Sequence, residues 1–486
     1  MITFLVSLAA LITAYFVYSK VVERIFRSDD SVKTPALRIA DGVDYVPLPG
    51  WKIFLIQFLN IAGLGPIFGA ILGAMYGPMS YLWIVIGCIF FGAVHDYFSG
   101  MLSIRNDGSS IPELTGRYMG VFFKNFMRIL TILLLVFVGV AFVNGPAGLL
   151  ETLTGGGLRY WLYGIFAYYI LATLLPINKI IGKIYPVFGI ALLFMAVMVG
   201  GYLIFGGITG KAHLNELTLS GLKNLHDSPG QNILFPMLFI VISCGAISGF
   251  HSTQSPMMAR CMTKESQGRP VFFGAMIAEG IVALIWATAA INFFGDTHGL
   301  NDTFIQHGKN PAWIVNEICQ TWLGKVGAVI AILGVVACPI TTGDTAFRSA
   351  RLTIADMLRF KQNNISKRLI ISIPIFIVGF ILSQLDFSTI WKFVGISNQL
   401  LACIVLWTGA SYQKQKGGIH WILTIPATIM TVICVSYFLM APVSNGGLFL
   451  PLQIGLPAGL FVGLASFSAF FFFNRKNKIL LSESVT

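Results

Sequence analysis

Five ionisable residues fall inside apolar stretches long enough to span a membrane: His95 and Asp96 in one stretch, and His251, Glu279 and Asp344 in three others. An ionisable side chain is costly in hydrocarbon, so each is a candidate solute or ion site. Glu279 falls near mid-span, where a carboxylate can carry a proton or, alternatively, hydrogen-bond broken backbone. His251 sits in a small, polar run from Ser243 to Pro256, which suits substrate contact or a proton relay better than core packing. His95 and Asp96 are neighbours and point about 100° apart on a helix, which argues against joint metal ligation. Asp344 lies one turn before Arg348 and Asp96 lies in the inner third of its stretch, so ion pairs at the membrane edge are the alternative for both.

A second chemistry is carried by Cys338-Pro339-Ile340-Thr341-Thr342-Gly343-Asp344. Positions 338, 341 and 342 share a helical face and present a carbonyl and two hydroxyls, hard oxygen donors that suit an alkali cation. Carbonyls of Ala62 and Gly65 would complete a Na⁺ shell; the alternative is that both threonines bond back to their own helix. The coupling-ion or proton candidates are therefore Ala62, Gly65, Cys338, Thr341, Thr342, Glu279 and Asp344. No other metal and no cofactor is expected. The seven cysteines are scattered without a CxxC and read as packing residues, and no HExxH or GxSxG supports an intramembrane enzyme built on His95, Asp96 and His251.

These residues need spans to position them. The 486-residue chain is 56% apolar and 11% charged, less than half the ~25% charged residues of a water-soluble protein, and its mean hydropathy is +0.79. Most of its surface must face lipid. Apolar runs fall near 2–19, 51–76, 80–104, 128–148, 160–177, 184–207, 232–258, 270–294, 325–346, 369–385, 390–412, 420–441 and 454–473, about thirteen helices. Alternating the loops between two sides gathers all but six of the 32 Lys and Arg residues on one side, the exceptions being Arg159, Lys211, Lys223, Lys309, Lys325 and Lys392. The net charge of +12 is thus topological and does not mark a nucleic-acid surface. The basic side is expected to be cytoplasmic, with the N-terminus outside and the C-terminus inside. The first run lacks the basic start of a signal peptide and reads as a helix. Pro311 to Leu323 reads as an interfacial helix with Trp313 and Trp322 at headgroup depth.

Two spans carry breaks. The second run holds Asn60-Ile61-Ala62-Gly63-Leu64-Gly65-Pro66-Ile67-Phe68-Gly69, and the seventh holds the polar run from Ser243 to Pro256. Glycine lets a helix unwind, and proline removes an N–H and clashes one turn back. Irregular backbone at membrane depth persists only where protein or a wet cavity satisfies it, so two breaks predict one shared cavity. They lie five helices apart and run in opposite directions, the pattern of inverted five-helix repeats that each open on a broken helix. The expected fold is an all-α polytopic membrane protein: 1–49 a peripheral helix and cytoplasmic linker, 50–229 the first repeat, 230–412 the second, and 413–486 two peripheral helices and a tail. Freed N–H groups beyond each break can hold a carboxylate. Gly63, Gly65 and Pro66 would open the solute site on one side, and Ser248, Gly249, His251, Ser252 and Gln254 would line it on the other. The reading is a secondary active importer of small carboxylate-bearing solutes, with a passive channel or facilitator as its rival. Its partners are the solute and the bilayer; no oligomeric state is assigned.

Five segments resemble, in order, motifs of the carbon starvation protein A family of bacterial inner-membrane transporters. They are Asp41-Gly42-Val43-Asp44-Tyr45-Val46-Pro47, Ala62-Gly63-Leu64-Gly65-Pro66, Gly92-Ala93-Val94-His95-Asp96, Gly245-Ala246-Ile247-Ser248-Gly249-Phe250-His251 and Ser397-Asn398-Gln399-Leu400-Leu401-Ala402. The resemblance implies uptake of small peptides or pyruvate driven by a cation gradient. It also implies the leucine-transporter-type core of the amino acid, polyamine and organocation superfamily. His95 departs from the family pattern, which often has Gln there, and the chain is shorter than the family's long members.

Overall fold

Glycine and proline punctuation divides the chain into helices. Among the residues that the computed structural model describes (1–42, 45–174, 177–211, 214–360, 365–385 and 387–483) there is no strand. Val43 and Asp44 of the first motif lie outside the described residues. In chain order the helices are α1 (Ile2–Phe26), α2 (Gly50–Ile61), α3 (Gly65–Ala74), α4 (Met79–Arg105), α5 (Ile111–Met119), α6 (Val121–Thr154), α7 (Leu158–Leu174), α8 (Ile177–Ile208), α9 (Leu234–Val241), α10 (Gly249–Ala259), α11 (Ala275–Phe293), α12 (Thr297–Gln306), α13 (Pro311–Met357), α14 (Ile365–Leu382), α15 (Phe387–Gln415), α16 (Trp421–Met440) and α17 (Leu452–Glu483).

Ten of these spans are long and apolar enough to cross a bilayer, eleven when the bent pair of α2 and α3 counts as one. Length and apolarity alone therefore give fewer crossings than thirteen. The difference lies in α7, which has 17 residues, and in α9 and α10, which are each too short to cross alone. One boundary moves: α8 begins at Ile177, so residues 178–183, expected in a loop, are helical.

The polar ends follow local chemistry. Asp296 accepts the Gly299 N–H (2.8 Å) at the start of α12, and Asn310 accepts the Ala312 N–H (3.0 Å) ahead of Pro311 in α13. α13 turns sharply at Gly324 (φ +65°), which separates residues 311–323, the expected interfacial piece, from the membrane piece. In that piece Trp313 stacks on His307 with ring centres 3.6 Å apart.

Burial separates centre from periphery. In α11 and α15, 89% of the apolar window is buried, against 22% in α1 and 17% in α17. α1 and α17 are thus the least buried of the spans, whereas α16, also expected on the outside, is half buried. The loops sort to two ends. Arg105 binds Glu265 (2.9 Å) and the Tyr412 hydroxyl (3.0 Å), while Arg260 donates to Gly108 O and Arg38 pairs with Asp107, which ties three of the basic loops together and to the end of α15. At the other end Asn215 meets Asn292 (2.6 Å), His298 meets Asp227 (3.1 Å) and His226 packs on Tyr76.

Three helices carry a π-helical turn: Gly65–Gly69 in α3, Gly87–Gly92 in α4 and Arg269–Gly274 just before α11. Such turns are wider than α-helical ones and cluster at functional sites. Here they precede His95 and Asp96, and Glu279.

Candidate functional site

The two breaks meet. At the first, α2 ends at Ile61, Ala62 leaves the helix (φ −83°, ψ +36°), and α3 restarts at Gly65 with a 52° bend. At the second, residues 242–248 separate α9 from α10, and Ser248 enters α10 in extended conformation (φ −137°, ψ +119°). A Cβ on Gly65 would lie 2.2 Å from Cys244 Cβ, so only glycine lets the two unwound segments touch. A Cβ on Gly249 would lie 2.4 Å from Asn398 O and 2.5 Å from Ala402 N, backbone atoms of α15 that cannot rotate away.

Two α15 residues satisfy the second break. Asn398 accepts the Phe250 N–H at 2.6 Å through Oδ1 and donates from Nδ2 to Ser248 Oγ at 3.0 Å, and Gln399 Nε2 donates to Phe239 O at 2.9 Å. Trp83 Nε1 donates to Ile242 O at 3.2 Å. The expectation of a free carboxylate cradle at the start of α10 is corrected in part, because the side chain of Asn398 already occupies one of its donors. Asn398 and Gln399 carry roles that the sequence reading did not assign. The available signal was a pair of amides inside an apolar span, which must bond to something.

Asp96 is not an edge ion pair. Its carboxylate lies between two imidazoles: His251 Nδ1 is 2.8 Å from Oδ2 and His95 Nδ1 is 2.8 Å from Oδ1, and all three side chains are fully buried. The carboxylate curls back to hydrogen-bond its own neighbour, which leaves the argument against joint metal ligation by His95 and Asp96 untouched. On its far side His251 Nε2 lies 3.3 Å from Glu279 Oε2, without the alignment of a hydrogen bond. Glu279 therefore faces the imidazole and also the unwound backbone at Gly245, so both of its expected surroundings are present. Cys244 completes the group: its Sγ, one His251 nitrogen and one Glu279 oxygen all lie within 4.8 Å of one another. This cysteine, expected to serve packing, faces the core of the site. Ser252 Oγ bonds back to Gly249 O (2.6 Å), and Gln254 Nε2 bonds to Thr253 Oγ1 (2.9 Å). Gly63 packs against Phe142, and Pro66 lies beside Gly245.

Most of the oxygen-rich set also assembles, with Leu59 added and without Gly65, which meets Cys244 instead. Thr342 Oγ1 donates to Cys338 O (2.9 Å) and lies 3.3 Å from Leu59 O; Thr341 Oγ1 donates to Cys338 O (2.7 Å); Cys338 Sγ reaches Leu59 O (3.2 Å) and Ala62 O (3.6 Å). The threonines thus bond back along their own helix, the alternative weighed above, while the freed carbonyls of α2 converge on the same spot. Asp344 stands apart from this set. Its Oδ2 lies 3.3 Å from Arg348 Nη2, and Arg348 also donates to Ala172 O (2.9 Å).

Comparison with known proteins agrees with this architecture. An uncharacterised membrane protein of Haemophilus influenzae is 46% identical over 62% of this chain and 94% of its own length. The Bacillus subtilis peptide transporter CstA is 27% identical over 83% of this chain and 84% of its own. The Escherichia coli pyruvate/proton symporter BtsT is 28% identical over 58% of this chain and 48% of its own. Among solved structures, MhsT, crystallised with L-phenylalanine, superposes with a TM-score of 0.53 at 13% identity, covering 88% of this chain and 98% of that one. That likeness gives the fold, a leucine-transporter-type helical core. The carbon starvation protein CstA profile matches residues 1–219, 151–320 and 309–437, and with the five ordered motifs it shows that the chain belongs to the carbon starvation protein CstA family.

Proposed function

We propose that this protein is a secondary active transporter that imports a small carboxylate-bearing solute by alternating access around the two breaks. The supporting observation is the buried chain Asp96–His251–Glu279, held where the unwound segments at Gly65 and Cys244 touch. An imidazole between two carboxylates can take a proton from one side and release it to the other as neighbouring helices shift. We assign proton coupling to this chain in preference to sodium coupling at Leu59, Ala62, Cys338, Thr341 and Thr342, because there hydroxyl and thiol donors already engage the carbonyls a cation would need. Relatives named as a peptide transporter and a pyruvate/proton symporter support a short peptide or pyruvate as the solute. The solute carboxylate would be held by N–H groups opening α3 and by those opening α10 that Asn398 leaves free. In this reading residues 50–229 and 230–412 are the two repeats, and the basic loop end faces the cytoplasm.

The test is uptake into proteoliposomes of labelled pyruvate and dipeptides, with Na⁺ and pH gradients imposed separately. Accumulation that follows the pH gradient, and that falls in Glu279→Gln and His251→Ala, is expected. Uptake unchanged when both gradients are dissipated would refute coupling and favour a passive facilitator.

A further inference from the structure

The group at Cys244, His251 and Glu279 has a feature that proton transfer does not require. His251 Nδ1 is already committed to Asp96 at 2.8 Å, which leaves Nε2 as the free nitrogen. That Nε2 and both Glu279 oxygens are buried without a hydrogen-bond partner. Orphaned buried polar atoms are expensive. Three of them, on two helices, converge beside a thiol.

The spacing fits a metal better than it fits a hydrogen bond. A tetrahedral zinc shell, with bonds of about 2.0–2.1 Å, places nitrogen and oxygen ligands roughly 3.3 Å apart. His251 Nε2 and Glu279 Oε2 are 3.3 Å apart and poorly aligned for hydrogen bonding, as ligands aimed at a third point would be. The Asp96 carboxylate on the opposite ring nitrogen is the outer partner that orients a metal-bound imidazole. A divalent ion would also offset the charge of one thiolate and one carboxylate ligand in a low-dielectric interior. The mixed sulfur, nitrogen and oxygen set favours zinc-like ions over magnesium or calcium.

We propose that Cys244, His251 and Glu279 form a three-ligand site for a divalent transition-metal ion of the zinc class, with one coordination position left for water or a solute carboxylate. Bound metal takes the His251 lone pair and therefore competes with a proton there. The inference goes beyond the transport reading and does not depend on it.

The test uses the full chain purified in detergent and titrated with Co²⁺, then back-titrated with Zn²⁺. Wild type should take up Co²⁺ with a thiolate charge-transfer band that saturates at one ion per chain and is abolished by Zn²⁺. Cys244→Ser should lose the band, while Cys88→Ser should keep it. Asp96→Asn should weaken binding roughly 10- to 100-fold without removing the band. No band in folded wild type, or a band of full strength in Cys244→Ser, would overturn the proposal. The readout is optical, so it stands whether or not uptake is found; conversely, proton-coupled uptake by metal-free protein would leave the transport reading intact.

Discussion

Asn398 offers a quantitative handle on the second break. Its Oδ1 receives the Phe250 N–H at 2.6 Å, and the residue is fully buried. Asn398→Ala removes this acceptor and takes from the Phe250 amide the hydrogen bond the structure gives it. An orphaned buried donor costs about 1–3 kcal/mol. Local opening of the α10 entrance should become easier by that amount, which at about 1.4 kcal/mol per decade is a roughly 5- to 140-fold faster exchange of the Phe250 amide. Hydrogen exchange read by mass spectrometry over residues 244–256 measures this directly, with α16 as the internal control for global folding. Asn398→Asp retains an acceptor oxygen and should keep Phe250 protected. If Asn398→Ala leaves the Phe250 amide as slow as in wild type while α16 stays protected, Asn398 does not hold the break.

Two further predictions concern the loop ends. Glu265 is almost fully buried, and apart from Arg105 it accepts the Asp29 N–H (2.8 Å), so Arg105→Ala should destabilise the protein by about 2 kcal/mol, discounted from the fully buried case because Arg105 is partly exposed. Adding Glu265→Gln should recover part of the thermal stability, and a double mutant no more stable than Arg105→Ala would sink the argument. At the opposite end, burial lowers the affinity of His226 for a proton, so its folded-state pKa lies below the usual 6.5. A depressed histidine favours the docked loop when neutral. Acidification through about 6.5 should therefore loosen residues 214–233 until the folded-state pKa is passed. His226→Phe should abolish that loss in hydrogen exchange, and an acid loosening that persists undiminished in His226→Phe would refute the assignment.

Much of the architecture could be read from residue types. The Gly63-Leu64-Gly65-Pro66 run and the polar stretch after Ser243 both interrupt spans, and their matched places imply contact. Glu279 and His251 stood out because a lipid environment tolerates such residues only with a purpose. Partner identity was harder to read, since it depends on which faces turn toward one another. For Asp96 an ion pair at the membrane edge stood as the alternative until α10 brought His251 against it. Cys244 looked like packing because no cysteine spacing in sequence hints at ligands drawn from two helices. The amides at 398 and 399 were visible as polar intruders, but which backbone groups they satisfy depends on how α15 crosses the break.

The widened turns at Gly87–Gly92 and Arg269–Gly274 have a bearing on how this core tolerates change. Each accommodates one more residue than an α-helical turn would, so everything downstream is rotated by about 100° relative to an uninterrupted rod. Asp96 and Glu279 both lie within two turns of such an insertion. Excising a single residue from either glycine-bounded stretch would leave a good helix, of nearly the same length and apolarity, that points its carboxylate at the wrong neighbour. Phase along the helix axis, more than composition, is what brings the two acids to face the same imidazole.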